Sequence, residues 1–133
     1  MMNTTQATPR SMEVPLASLI ELAVEHWRLE RWLAKLDQEE SIAHGRHVAR
    51  QLNRFLSERE LAVIDLAGQP YEPGLAVEVL DVIHEQEMPD DTEVIDETVT
   101  PIVMWRGTVV QFGQVIIRRK EVGNRQEPGA RSR

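Results

Sequence analysis

An α+β chain is predicted, with an N-terminal helical region of bundle or coiled-coil type that pairs two copies, followed by a small all-β module. Three observations predict it. Apolar residues recur at three- and four-residue steps as far as about Glu58. Beyond Leu61 they fall instead in short β-branched runs parted by Gly and Pro. The charge changes at the same place: residues 1–59 hold eight Lys or Arg and eight Asp or Glu, residues 60–105 hold twelve acids and no Lys or Arg, and residues 106–133 hold seven basic and two acidic. The expected division is therefore a disordered N-terminus over 1–14, a helical dimerisation region over 15–59, a β module over 60–120 and a disordered tail over 121–133.

The first helix is expected to start near Pro15, a residue suited to a first turn because its fixed φ is already helical and its missing N–H costs nothing there. Leu16, Leu19, Ile20, Ala23 and Trp27 form one stripe, and Leu22, Leu29, Trp32, Leu33 and Leu36 a second, offset one. Together they are broader than a coiled-coil seam, which implies burial on more than one side. After the polar residues 37–41, Ile42, Gly45, Ala49, Leu52 and Leu56 recur at steps of 3, 4, 3 and 4. That spacing is a helix-packing seam, and these five residues are the expected dimer interface. Gly45 costs about 1 kcal/mol against Ala inside a helix, but with Ala49 it lets another helix approach closely. The apolar face shifts at 37–41, which favours a turn, although the segment has neither Gly nor Pro and one long helix also fits.

Strands are expected at 61–66, 77–83, 93–99, 102–105, 108–111 and 115–117, each rich in Val, Ile or Thr. Residues 68–74, with two Gly and two Pro, read as a loop; Arg106-Gly107 reads as a hairpin turn, and Phe112-Gly113 as a bend or bulge.

At 133 residues and 41% hydrophobic, the chain can bury only a modest core, and such chains often cover the remainder with a second copy. With no Cys, disulfides, thiolate metal sites and a cysteine nucleophile are excluded. No apolar run approaches the ~20 residues that cross a bilayer, and residues 1–13 lack the apolar stretch of a signal peptide. A cytoplasmic protein without membrane association is expected. The net charge of −7 argues against nucleic acid as a partner.

No residue set makes a catalytic or metal-binding case. His44 and His47 are three apart but lack a third ligand at a matching spacing, and solvated helix histidines are the simpler reading. Trp27 and Trp32 read as core or dimer contacts, and the row Arg46, Arg50 and Arg54 as a solvated face. Asp90-Asp91 and Asp96-Glu97 have no pocket to separate their pKa values, and the spacing of a calcium loop is absent. The basic run Arg118, Arg119 and Lys120 with Arg125 reads as solubilising. The chain is expected to be a binding protein rather than an enzyme, without cofactor or metal.

The stretch from Leu52 to Arg119 resembles GrpE, the homodimeric nucleotide exchange factor of DnaK-type chaperones. The resemblance lies in a helix end and short strand, then Gly68-Gln69-Pro70-Tyr71-Glu72-Pro73, an acidic segment to Glu97, and a hydrophobic hairpin over 101–118. Tyr71-Glu72 stands where the family has Phe-Asp, Leu75-Ala76-Val77-Glu78 departs from the family's stretch after the loop, and the helical part is shorter than the family's stalk. The resemblance implies a homodimer whose β module binds the open-cleft ATPase of a DnaK-type chaperone and speeds nucleotide release. The contacts it implies are Tyr71 and Glu72 in the loop, with Met104, Trp105, Arg106, Val110 and Gln111 on the hairpin. The alternative is a homodimeric adaptor that binds a protein partner through the acidic β module without exchange activity.

Overall fold

A computed structural model describes residues 11–36, 40–89 and 91–120. It shows two N-terminal helices followed by two small β-sheets. The helices are α1 (Leu16–Ala34) and α2 (Glu40–Glu58); the strands are β1 (Leu61–Ile64), β2 (Val77–Glu85), β3 (Glu93–Thr100), β4 (Ile102–Trp105), β5 (Thr108–Gln111) and β6 (Gly113–Lys120). Most of the expected N-terminal and C-terminal disordered segments, and residues 37–39 of the expected turn, lie outside the described residues.

Pro15 caps α1 with its carbonyl, which accepts the Ser18 amide at 3.0 Å. The helix ends at Ala34, so residues 15–59 form two helices and not one. They run antiparallel: His26 near the middle of α1 reaches the Ala49 carbonyl, and Arg46 near the start of α2 reaches the Leu33 carbonyl. A Cβ built on Gly45 would lie 3.3 Å from Leu33 Cδ2, so the helix that uses its missing side chain is α1 of the same chain. Leaving α2, Glu60 takes a left-handed φ of 66° at the position where glycine usually ends a helix, and β1 begins at once.

The first sheet is antiparallel in the order β1-β4-β5, and the second has the order β2-β6-β3. Strand β2 runs parallel to β6 and β3 antiparallel to it. The two sheets share strands in effect, since β3 passes into β4 through Pro101 and β5 into β6 through Phe112. Pro101 is fully buried at this corner, where a residue with no N–H can sit because the ladder is broken there. All six expected strands are present; β1 stops two residues short of the expected run, β2 runs two residues and β3 one residue further, and β6 is extended at both ends.

Each sheet has its own core. Ala23, Val24 and Leu56 from the helices meet Leu61 and Val103 of the first sheet. Ile95, Val115 and Ile117 form the second, with Tyr71, Leu75, Val77, Val79 and Val82 packed round them. Each such fully buried aliphatic side chain contributes roughly 1.5–3 kcal/mol.

Candidate functional site

The first sheet shows how period-2 alternation divides its residues. Leu61, Val63, Val103, Trp105 and Val110 turn toward α1 and α2. Their neighbours along the strands must then turn the other way. Ala62, Met104 and Val109 stand in register across the three strands, forming an apolar row on the face away from the helices. Ala62 is exposed and the other two half-buried.

Next to that row lies the turn. Arg106 and Gly107 have φ values of 53° and 79°, so the two-residue loop is of the type that matches strand twist, with an arginine where Asn or Asp is usual. The Arg106 amide donates to the Glu60 carbonyl at 3.1 Å, its guanidinium lies 3.1 Å from the Glu60 carboxylate and 4.5 Å from the Trp105 ring centroid. An exposed cation is thus held on a tight turn, over the Trp105 ring and against Glu60.

Residues expected at the binding surface separate in three dimensions. Met104 lies in the outward row and Arg106 in the turn that follows β4, its guanidinium over Trp105. Trp105 and Val110 pack against the helix-side core, with Val110 the extra residue of a bulge opposite Val103 and Met104. Gln111 lines a shallow groove with Ile20, Val24 and Arg28 of α1. Tyr71 packs on the second core, its amide bonded to the Glu93 carbonyl at 2.9 Å, and Glu72 is exposed beside it. In the expected dimer seam, Ala49 and Leu56 are buried within the chain, Gly45 faces Leu33, and Ile42 and Leu52 are half-buried.

A polar junction that sequence reasoning missed joins α1 to both sheets. The Asp65 carboxylate, just past β1, accepts the Trp27 indole N–H at 3.1 Å, the Thr98 hydroxyl at 2.7 Å and the Ala67 amide at 3.0 Å. Arg31 stacks over Trp27 at 4.5 Å and donates to the Thr98 carbonyl at 2.9 Å. Burial raises the Asp65 pKa, but the Thr98 hydroxyl, the Ala67 amide, the Trp27 indole and the Arg31 charge together outweigh it and hold the group below its ordinary value. Only the i, i+4 spacing of Trp27 and Arg31 was visible in the sequence. His26, buried on the same helix, donates from Nε2 to the Ala49 carbonyl at 2.7 Å, which ties the hairpin together.

The segregated charges also meet. Arg118 pairs with Glu85 of β2 at 3.3 Å and with Asp96 of β3, and Arg119 pairs with Glu93 at 2.5 Å. Lys120 donates to the Gln86 carbonyl. The run that reads as a solubilising tail is therefore, as far as Lys120, the central strand of the acidic sheet. The arginine row on α2 divides likewise: Arg46 bonds Leu33 while Arg50 and Arg54 stay exposed. His44 and His47 are exposed, and among the described residues no three His, Asp or Glu side chains gather as a metal site. No helix among the described residues is long and apolar enough to cross a membrane. No protein-family model matches the chain, and no curated protein matches it.

Proposed function

We propose that this protein is a co-chaperone-like factor that promotes nucleotide exchange on a DnaK-type ATPase, binding the open-cleft state through the outward face of the first sheet. The observation that carries the reading is the row Ala62, Met104 and Val109 on the sheet face away from the helices, with the Arg106-Gly107 turn closing the β4-β5 hairpin. An apolar strip on an otherwise uncovered sheet face suits docking to a protein surface. The residue pattern from Leu52 to Arg119 supplies the likeness to exchange factors. The chain itself would perform no chemistry: tighter binding to the open ATPase than to the closed one lowers nucleotide affinity by the same coupling, about 5–150-fold for an ordinary allosteric pair.

The test is release of labelled ADP from a DnaK-type chaperone of the same source. The native chain should accelerate it, and Met104→Asp should abolish the acceleration while leaving circular dichroism unchanged. No acceleration by the native chain defeats the proposal. A stable complex with an unchanged nucleotide off-rate would instead favour the adaptor reading.

The second copy belongs, on this proposal, against the helical hairpin. Trp32 on α1 and Val48 and Phe55 on α2 are large apolar side chains left exposed, and Ile42 and Leu52 are only half-covered. Val48, Leu52 and Phe55 share one flank of α2 by their 4- and 3-residue steps. Ala49 and Leu56 support that flank from inside. Phe55→Asp, at a position outside the core, should convert dimer to monomer by light scattering. An unchanged mass in that variant and in Val48→Asp would remove the hairpin flank as the interface.

A further inference from the structure

The second sheet treats its two edges differently. On the β3 side, the loop after β1 closes the edge: the Gly68 amide bonds the Ile95 carbonyl at 2.8 Å, the Ile95 amide the Gln69 carbonyl at 2.9 Å, and the Tyr71 amide the Glu93 carbonyl at 2.9 Å. On the other side stands β2, whose only strand partner among the described residues is β6. No second strand pairs with its outer edge there, where the Val77 amide donates to the Leu75 carbonyl and the Val82 amide to the Asp81 carboxylate, each at 2.8 Å. At nine residues β2 is longer than the usual strand of about 5–6.

Edges left open in this way are normally guarded by Lys, Pro or inward charges. Strand β2 has neither Lys nor Pro, and instead exposes Leu80 (47%) and Ile83 (41%). Its one irregularity is a register shift between Val79 and Asp81. Charge selects the occupant. Of the strand's three acids, Glu85 pairs with Arg118; among the described residues Glu78 accepts from the Gln114 amide, and Asp81 accepts its neighbour Val82 N–H and faces no cation. A second copy laid antiparallel in full overlap would set Asp81 against Asp81, and like charges directly opposite destabilise a pair.

We propose that the outer edge of β2 is a docking site for an extended, basic, apolar-alternating segment of a partner protein, which adds to the second sheet as a fourth strand. Main-chain bonds to β2 supply the attachment, Leu80 and Ile83 contact its apolar side chains, and Glu78 and Asp81 select its Lys or Arg. The site is on the opposite sheet from the Met104 row, so its failure and that of the exchange reading are separate results.

The probe is a fluorescent peptide alternating Val and Lys, titrated against the full chain by anisotropy. Expected results are saturable binding, loss of binding when alternate residues are replaced by Pro, and a weakening of at least about tenfold for Glu in place of Lys or for the Ile83→Lys protein. In hydrogen exchange on the unaltered chain, the β2 amides that face away from β6 should exchange fast alone and slow with peptide. Equal binding of the Pro peptide would reduce the contact to charge attraction and overturn the proposal. Slow exchange of all β2 amides in the free chain would overturn it too: dilution that speeds the exchange would identify a second copy as the occupant, and exchange independent of concentration would identify the chain's own C-terminal segment.

Discussion

Replacing Trp27 with Ala is expected to lower the unfolding free energy by about 3–5 kcal/mol, the usual cost of removing a buried tryptophan. Against a total of roughly 5–15 kcal/mol for a domain of this kind, that is a third or more. Three contacts go at once: the ring's place beside Ala23 and Leu56, its N–H bond to Asp65 and its stacking with Arg31. Trp27→Phe keeps most of the first and loses the second, so it should cost about 1 kcal/mol from the bond beyond the change in ring size. Denaturant midpoints at an unchanged slope read both. If Trp27→Ala shifts the midpoint no more than Trp27→Phe, the ring does not anchor α1.

The same junction has a pH signature. Asp65 is held below its unfolded value of about 3.9. Its contribution is therefore complete above that pH and is lost as the pH falls through the lower folded value. Because the carboxylate is partly solvated, the effect is a modest steepening of acid unfolding below about pH 4. Asp65→Asn should be less stable than the native chain at neutral pH and should converge on it in acid. Parallel curves for the two proteins would show that the carboxylate charge contributes nothing.

The second large effect is expected at Gly113, the first residue of β6 at the corner between the sheets. A Cβ there would lie 3.1 Å from the Thr100 carbonyl oxygen, 3.1 Å from Ile102 Cγ1 and 3.3 Å from the Ile102 amide. Two of those atoms are backbone, on either side of buried Pro101, so they cannot yield without opening the corner. Gly113→Ala should cost about 1–3 kcal/mol as an overpacking change. Gly45→Ala is the contrasting case, because its added methyl meets only the tip of Leu33. There a helix-propensity gain of about 1 kcal/mol offsets the contact and the net change should be small. Equal losses at the two glycines would show that the corner is no tighter than the helix crossing.

Much of the fold could be read residue by residue. Pro15 marked the start of α1, the 3,4 spacing of Ile42 to Leu56 marked α2, and β-branched runs marked the strands, because each signal is local to its element. Arg106-Gly107 was legible as a turn for the same reason. The candidate surface was only partly legible. Met104, Trp105 and Val110 lie within seven residues, yet a single alternation sends Met104 outward and the others onto the helices. A β-run identifies a strand, but which of its faces is covered depends on what packs against it.

The order and kind of the elements and the change of charge at residue 60 follow from local sequence, since propensity, period and composition are properties of neighbouring residues. Where that charge goes depends on how the strands pair. The acids of 60–105 and the basic run after 117 are segments apart along the chain, and parallel pairing of β6 with β2 brings Glu85 to Arg118 while antiparallel pairing with β3 brings in Asp96 and Glu93. Coulomb attraction acts over a few ångströms of space, whatever the number of residues between the partners. Likewise Asp65 meets Trp27, 38 residues away, only because β1 carries it back beneath α1.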